Sequence, residues 1–138
     1  TDMFKAAVTQ RSMSNMLSKY GTADNGWTHD KRGMGGADIW DSENLLMERS
    51  PIRYAPFVKT PLLFIHSDQD HRCPLEQAEQ FYVALKRLGV ETEMVIFKGE
   101  NHELSRSGKP ANRLTRLDFI MGWCSKYLGD RADSIVNA

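Results

Sequence analysis

The stretch Pro61-Leu62-Leu63-Phe64-Ile65-His66-Ser67-Asp68-Gln69-Asp70-His71-Arg72-Cys73-Pro74 decides the reading of this chain. Its first half is an unbroken apolar run, the pattern of a β-strand buried on both faces, as the strands of a parallel sheet are. Its second half turns abruptly polar and ends in a proline, which suits the first turn of a helix. Gly89 suits the position just past that helix, and Ala78, Phe81, Tyr82, Leu85 and Leu88 fall on one face between them. Glu93 to Phe97, EMVIF, reads as another strand. Leu114, Leu117, Met121, Cys124 and Leu128 then recur at spacings of three and four, the signature of an apolar helical stripe. The order strand, helix, strand, helix predicts an α/β fold with a mostly parallel sheet flanked by helices. In such folds ligand chemistry sits at the carboxyl ends of the strands.

Upstream the signals are weaker. Phe4 to Thr9 reads as a short buried strand, and the Ser/Asn-rich stretch with Met13, Met16 and Leu17 as a short helix. Glycines 21, 26, 33, 35 and 36 suggest a long surface loop over 21–36, with Trp27 and Trp40 as its packing anchors. Asp41-Ser42 is suited to cap a helix through Glu48, which Ser50-Pro51 ends, and a proline-rich loop through Pro56 follows.

Two predicted strands open into polar loops, Ser67 to Pro74 and Lys98-Gly99-Glu100-Asn101-His102-Glu103. If these strands are parallel neighbours, Asp70 and His102 can meet. A buried carboxylate on an imidazole fixes its tautomer and stabilises the imidazolium formed when it accepts a proton from a serine. On pattern alone Asp70 is more often a helix cap or loop ligand than a catalytic group, and His102 can be a satisfied loop histidine. Arg72 reads as a loop brace pairing with Asp68 or a backbone carbonyl. Glu100 and Glu103 read as solvated carboxylates, and Met13, Met16 and Trp27 as core rather than pocket residues.

Several pieces of the chain together resemble the prolyl-oligopeptidase-like serine peptidases, in their acylaminoacyl-peptidase or dipeptidyl aminopeptidase-like branch. They are Thr1-Asp2-Met3-Phe4-Lys5-Ala6-Ala7-Val8, Glu48-Arg49-Ser50-Pro51, Lys59-Thr60-Pro61-Leu62-Leu63, Asp70-x-Arg72-x-Pro74-x-Glu76-Gln77-Ala78 and Glu100-Asn101-His102-Glu103. The resemblance implies an α/β-hydrolase fold of which residues 1–138 are the C-terminal portion. It also implies peptide substrates, no cofactor, and a Ser-Asp-His triad whose aspartate is Asp70 and whose histidine is His102. The nucleophile's Gly-x-Ser-x-Gly turn, the oxyanion hole and any β-propeller would then lie upstream, and the isolated chain would be inactive. The order Asp before His agrees with the α/β-hydrolase order. Ser67, Ser105 and Ser107 lack the glycine-flanked turn that exposes a nucleophile. The start at Thr1 also reads as a piece cut from a longer protein.

Other classes of function are weighed on the same residues. His66, Asp68, Asp70 and His71 approximate a zinc-hydrolase cluster, with His102 as the remaining downstream ligand. Cys73 with His102 would make a thiol enzyme only if Cys73 ionised at the helix start. A non-catalytic fragment could self-associate through an exposed sheet edge. Balanced charge, with 18 basic and 18 acidic residues, argues against nucleic-acid partners. No apolar run approaches the ~20 residues that span a bilayer. The presence of only two cysteines favours a reducing, cytoplasmic setting.

Overall fold

The computed structural model describes residues 3–33, 35–36 and 38–129; Thr1 and Asp2 of the first family-like piece lie outside the described residues. Its centre is a three-stranded sheet, β1 (Ala7–Gln10), β2 (Leu62–Ser67) and β3 (Thr92–Phe97), in that spatial order and parallel throughout. Every residue of β2 is buried, as its apolar run predicts. Alternation along β2 sends Leu62 and Phe64 to one face and Leu63 and Ile65 to the other, so each face carries its own core. β1 begins three residues later than the Phe4–Thr9 run, and Phe4 is exposed.

Helix α4 (Leu75–Arg87) covers the first face through Ala78, Phe81, Tyr82 and Leu85. Phe64 meets both aromatic rings edge to face, with centroids 5.9 Å apart. Pro74 stands at the N-cap, and Gly89, at φ +74°, ends the helix. The amide of Gly89 bonds to the Lys86 carbonyl and that of Val90 to the Leu85 carbonyl, closing a Schellman motif that needs the left-handed residue. Leu88, predicted on the apolar face, is exposed.

The second face is covered by α5 (Leu104–Ser107) and α6 (Pro110–Leu128). The three-and-four spacing marks the helix but not its buried face. Ile120, Trp123 and Tyr127 pack on the sheet, whereas Leu114 (65% exposed), Leu117, Met121 and Leu128 point away. Two stripes with the same three-and-four spacing coexist on α6, and periodicity cannot say which of them meets the sheet.

The long connection from β1 to β2 also departs from expectation. The glycine-dense stretch holds the end of α1 (Met16–Thr22) and the whole of α2 (Gly26–Gly33) instead of one loop. Gly26 lies so close to the Tyr20 and Lys19 carbonyls that any Cβ would collide, so this glycine serves backbone approach, not looseness. Trp27 and Trp40 are exposed, and Trp40 meets only the Tyr20 ring edge to face among the described aromatic contacts. Helix α3 (Glu43–Glu48) starts after Ser42, whose side chain makes no capping bond. A 3-10 helix, Pro51–Phe57, replaces the predicted proline-rich loop. Met16 and Leu46 form a small third core with Leu17, Ile39 and Leu45, and Met13 is exposed. Among the described residues, no helix is long and apolar enough to cross a membrane.

Candidate active site

Because β2 and β3 are parallel neighbours, with Ser67 opposite Phe97, their following loops leave the same edge of the sheet. Backbone bonds stitch those loops together: the Asp68 amide donates to the Phe97 carbonyl (3.2 Å) and the Gln69 amide to the Glu100 carbonyl (3.0 Å). The Gly99 amide, at φ +68°, donates to Asp68 Oδ1 (2.8 Å). Asp68 therefore braces the β3 loop, with Lys98 Nζ 4.0 Å away.

Asp70 is 3% exposed, and its Oδ1 accepts the amides of Arg72 (3.0 Å) and Cys73 (2.8 Å). These two bonds offset the cost of burying a carboxylate and fix its plane. His102 Nδ1 lies 2.9 Å from Asp70 Oδ2 and 3.1 Å from Oδ1. An ionised carboxylate only accepts, so Nδ1 carries the proton and Nε2 is left with a lone pair. The His102 side chain is 23% exposed and borders a cleft of about 240 Å³ lined by Asp24, Gln69, His71, Arg72, Asn101 and Glu103. An imidazole so held can accept a proton from a hydroxyl and return it to a leaving group.

Arg72 does not pair with Asp68. Its Nε and Nη2 reach the two oxygens of Asp24, at 2.6 and 3.2 Å, across the mouth of the cleft. The guanidinium holds the Asp24 carboxyl below the usual carboxylate range, and Asp24 in turn raises Arg72. Glu100 is not solvated either. It is 5% exposed and accepts the Lys109 amide (3.0 Å) and the Asn112 side-chain amide (2.7 Å), tying the His102 loop to the start of α6. Glu103, read as a solvated carboxylate, pairs with Arg106 at the surface.

Arg11 escaped sequence reading. It follows β1 with φ +56°, a left-handed conformation rare for residues other than glycine, and its Nη1 donates to the His102 carbonyl (3.3 Å). Only its place at a strand end hinted at a role.

The alternative chemistries find less support in the geometry. Among the described residues no three His, Cys, Asp or Glu side chains converge in a way that could hold a metal ion. His66 Nε2 donates to the Cys73 carbonyl (2.7 Å), while His71 is exposed in the cleft. Burial, followed by the charge of Asp70, pushes the Cys73 thiol up to about 11, the opposite of an activated thiolate. Ser67 is buried at the end of β2, Ser105 and Ser107 lie on α5, and among the described residues no serine lines the cleft.

The family model described as the prolyl oligopeptidase family matches residues 1–131. The chain belongs to the prolyl oligopeptidase family. It is 45% identical over 128 residues to the uncharacterized peptidase YuxL of Bacillus subtilis, a match covering 93% of this chain and 19% of that protein. Identity to the rat acylamino-acid-releasing enzyme is 27% over 112 residues, covering 75% of this chain and 15% of that enzyme. The acylaminoacyl peptidase of Pyrococcus horikoshii superposes with a TM-score of 0.87 at 38% identity, covering 92% of this chain and 20% of that one. The α/β-hydrolase architecture expected from the sequence is thus the family's own. The chain spans 15–20% of the length of these relatives.

Proposed function

We propose that this chain supplies the aspartate and the histidine of a serine-peptidase triad, Asp70 and His102, to a larger peptidase of which it is the C-terminal part. The observation that carries the reading is the buried Asp70 carboxylate on His102 Nδ1 at adjacent strand ends. In this scheme His102 Nε2 takes the proton of a serine hydroxyl as the serine oxygen bonds to the substrate's carbonyl carbon. It then delivers that proton to the departing amine as the C–N bond breaks, leaving an acyl-enzyme. Water repeats the cycle, with His102 again as base and then as acid, and frees the acid product. Asp70 stays ionised throughout and stabilises the imidazolium.

The acylaminoacyl and acylamino-acid-releasing names of the relatives support acylated peptides or oligopeptides as substrates. The serine and the oxyanion donors come from upstream segments, so the isolated chain is inactive. Leu114, Leu117, Met121 and Leu128, exposed on α6, and the edge of β1, unpaired among the described residues, support a domain completed by further structure. Those same surfaces favour a second reading for the chain alone, self-association without turnover. Cys73 and Cys124, both free, fit a reducing, cytoplasmic setting.

The decisive experiment measures turnover of an acylated peptide by the full-length peptidase and its Asp70→Asn and His102→Ala variants, alongside labelling by a fluorophosphonate. A loss of about 10⁴-fold in kcat is expected for each variant. The isolated chain is expected to remain unlabelled. Near-normal turnover by folded His102→Ala protein would sink the assignment.

A further inference from the structure

A second histidine stands behind the proposed pair. His66 is 1% exposed, sits on β2 one residue before the strand's end, and has its Nε2 3.8 Å from Asp70 Oδ2. That separation is too long for a hydrogen bond. Its Nε2 instead lies 2.7 Å from the carbonyl of Cys73, and a carbonyl only accepts, so Nε2 carries the proton. Cys73 is also the residue whose amide, with that of Arg72, grips Asp70 Oδ1. The same residue therefore holds Asp70 through its N–H and is held by His66 through its C=O.

We infer that His66 is a positioning residue for the Asp70–His102 pair, acting through the 70–73 turn that its Nε2–H fastens to the end of β2. This inference rests on the triad reading. The direction of the Asp70 carboxylate is set by two amides belonging to a turn with no regular structure of its own. Without the His66 bond the Cys73 carbonyl is left buried and unsatisfied, and the turn is free to seek a partner elsewhere. Burial, opposed by the Cys73 carbonyl and the charge of Asp70, lowers the pKa of His66 and so favours the neutral ring. Its Nδ1, which has no hydrogen-bond partner among the described residues, then presents a lone pair and not a stranded N–H.

The test compares His66→Leu, His66→Asn and His66→Gln in the full-length peptidase. Glutamine carries its amide nitrogen as many bonds from Cα as the imidazole Nε2, and asparagine carries it one bond short. Leucine removes the donor. The expected result is a kcat lower by about 10- to 100-fold for the leucine and asparagine variants, with KM within about 2-fold, the scale of a misplacement near 1 Å. Those variants also lose the low-field proton resonance of the Asp70–His102 bond. Glutamine restores both, with kcat within about 3-fold of the parent. Wild-type kcat and an intact resonance in the leucine or asparagine variant would overturn the inference. So would a glutamine variant as impaired as the other two. Where the leucine variant fails to fold, the comparison of glutamine with asparagine decides alone. A His102→Ala control separates the two levels of argument. If it retains turnover, the triad reading falls and takes this inference with it; if it is inert while His66→Asn is fully active, only the role of His66 falls.

Discussion

Replacing Glu100 by alanine tests whether the His102 loop is held by a buried carboxylate. In the native chain Glu100 Oε1 accepts the Lys109 amide at 3.0 Å and the Asn112 side-chain amide at 2.7 Å, at a site 5% exposed. Hydrogen bonds to a charged acceptor contribute roughly 1.5–3 kcal/mol each, and removal strands two donors. Loss of the carboxylate also removes the cost of burying it, so the net loss is about 2–4 kcal/mol. For a catalytic domain of ordinary size this lowers the apparent Tm by roughly 5–15 °C. Because His102 is two residues further on, kcat should fall as well, by about 10-fold or more. Glu100→Gln keeps an acceptor at Oε1 and is expected to lose about 1 kcal/mol. Glu103→Ala is the control: its partner Arg106 is a surface contact, worth about 0–1 kcal/mol. The assay is thermal unfolding of the full-length variants paired with initial-rate kinetics. Equal melting of Glu100→Ala and Glu103→Ala would refute the argument.

Other substitutions probe the same scaffold. A Cβ on Gly108 would meet the Leu104 carbonyl at 2.6 Å and Glu100 Oε2 at 2.8 Å, so Gly108→Ala should cost about 1–3 kcal/mol in denaturant melts. Gly21, within α1 and with nothing near its missing Cβ, should instead gain about 0.5 kcal/mol on becoming alanine. The Cys73 thiol, raised from 9.0 to about 11, should alkylate at pH 8 about 100-fold more slowly than an exposed model thiol, in timed iodoacetamide labelling. Its raised value also makes the folded state lose stability as pH climbs from about 9 to about 11, because the unfolded chain releases its proton first; denaturant midpoints across that range check the sign. Leu46, fully buried in the small third core, should cost about 2–5 kcal/mol as alanine.

What could be read from the sequence was whatever a few adjacent residues determine. The Leu62–Ser67 strand is a dense apolar run, and α4 is bracketed by Pro74 and Gly89, so both stand out locally. Two polar loops after two such strands are enough to bring Asp70 and His102 to mind as a pair. What escaped was decided at a distance. Glycine density suggested a loop where Gly26 instead lets α2 approach the backbone of α1. The stripe of Leu114, Leu117, Met121 and Leu128 proved the wrong side of α6, since the sheet chose Ile120, Trp123 and Tyr127. Glu100 reads as solvated in a polar loop until its two donors arrive from α6, and Arg72 finds Asp24 from the β1–β2 connection. Each of these partners lies on a different element of the fold, so no local pattern announces it.

The site draws one element from each strand end, and the division of labour follows from chemistry. The loop after β2 holds Asp70 with its own amides, which keeps a buried charge satisfied whether or not His102 is present. His102 is held on its ring by Asp70 and on its carbonyl by Arg11 from the end of β1, so both its orientation and its reach depend on neighbours. Arg11 adopts its left-handed backbone at a cost of order 1 kcal/mol or more, a cost that persists only where surrounding contacts over-determine it. Loss of the Arg11 guanidinium should therefore relax the His102 loop and leave Asp70 in place. Loss of the amides around Asp70 would instead disturb the carboxylate and, through it, the imidazole. Errors propagate from aspartate to histidine and not in reverse, which is why the supports of Asp70, His66 among them, bear more of the site's geometry than those of His102.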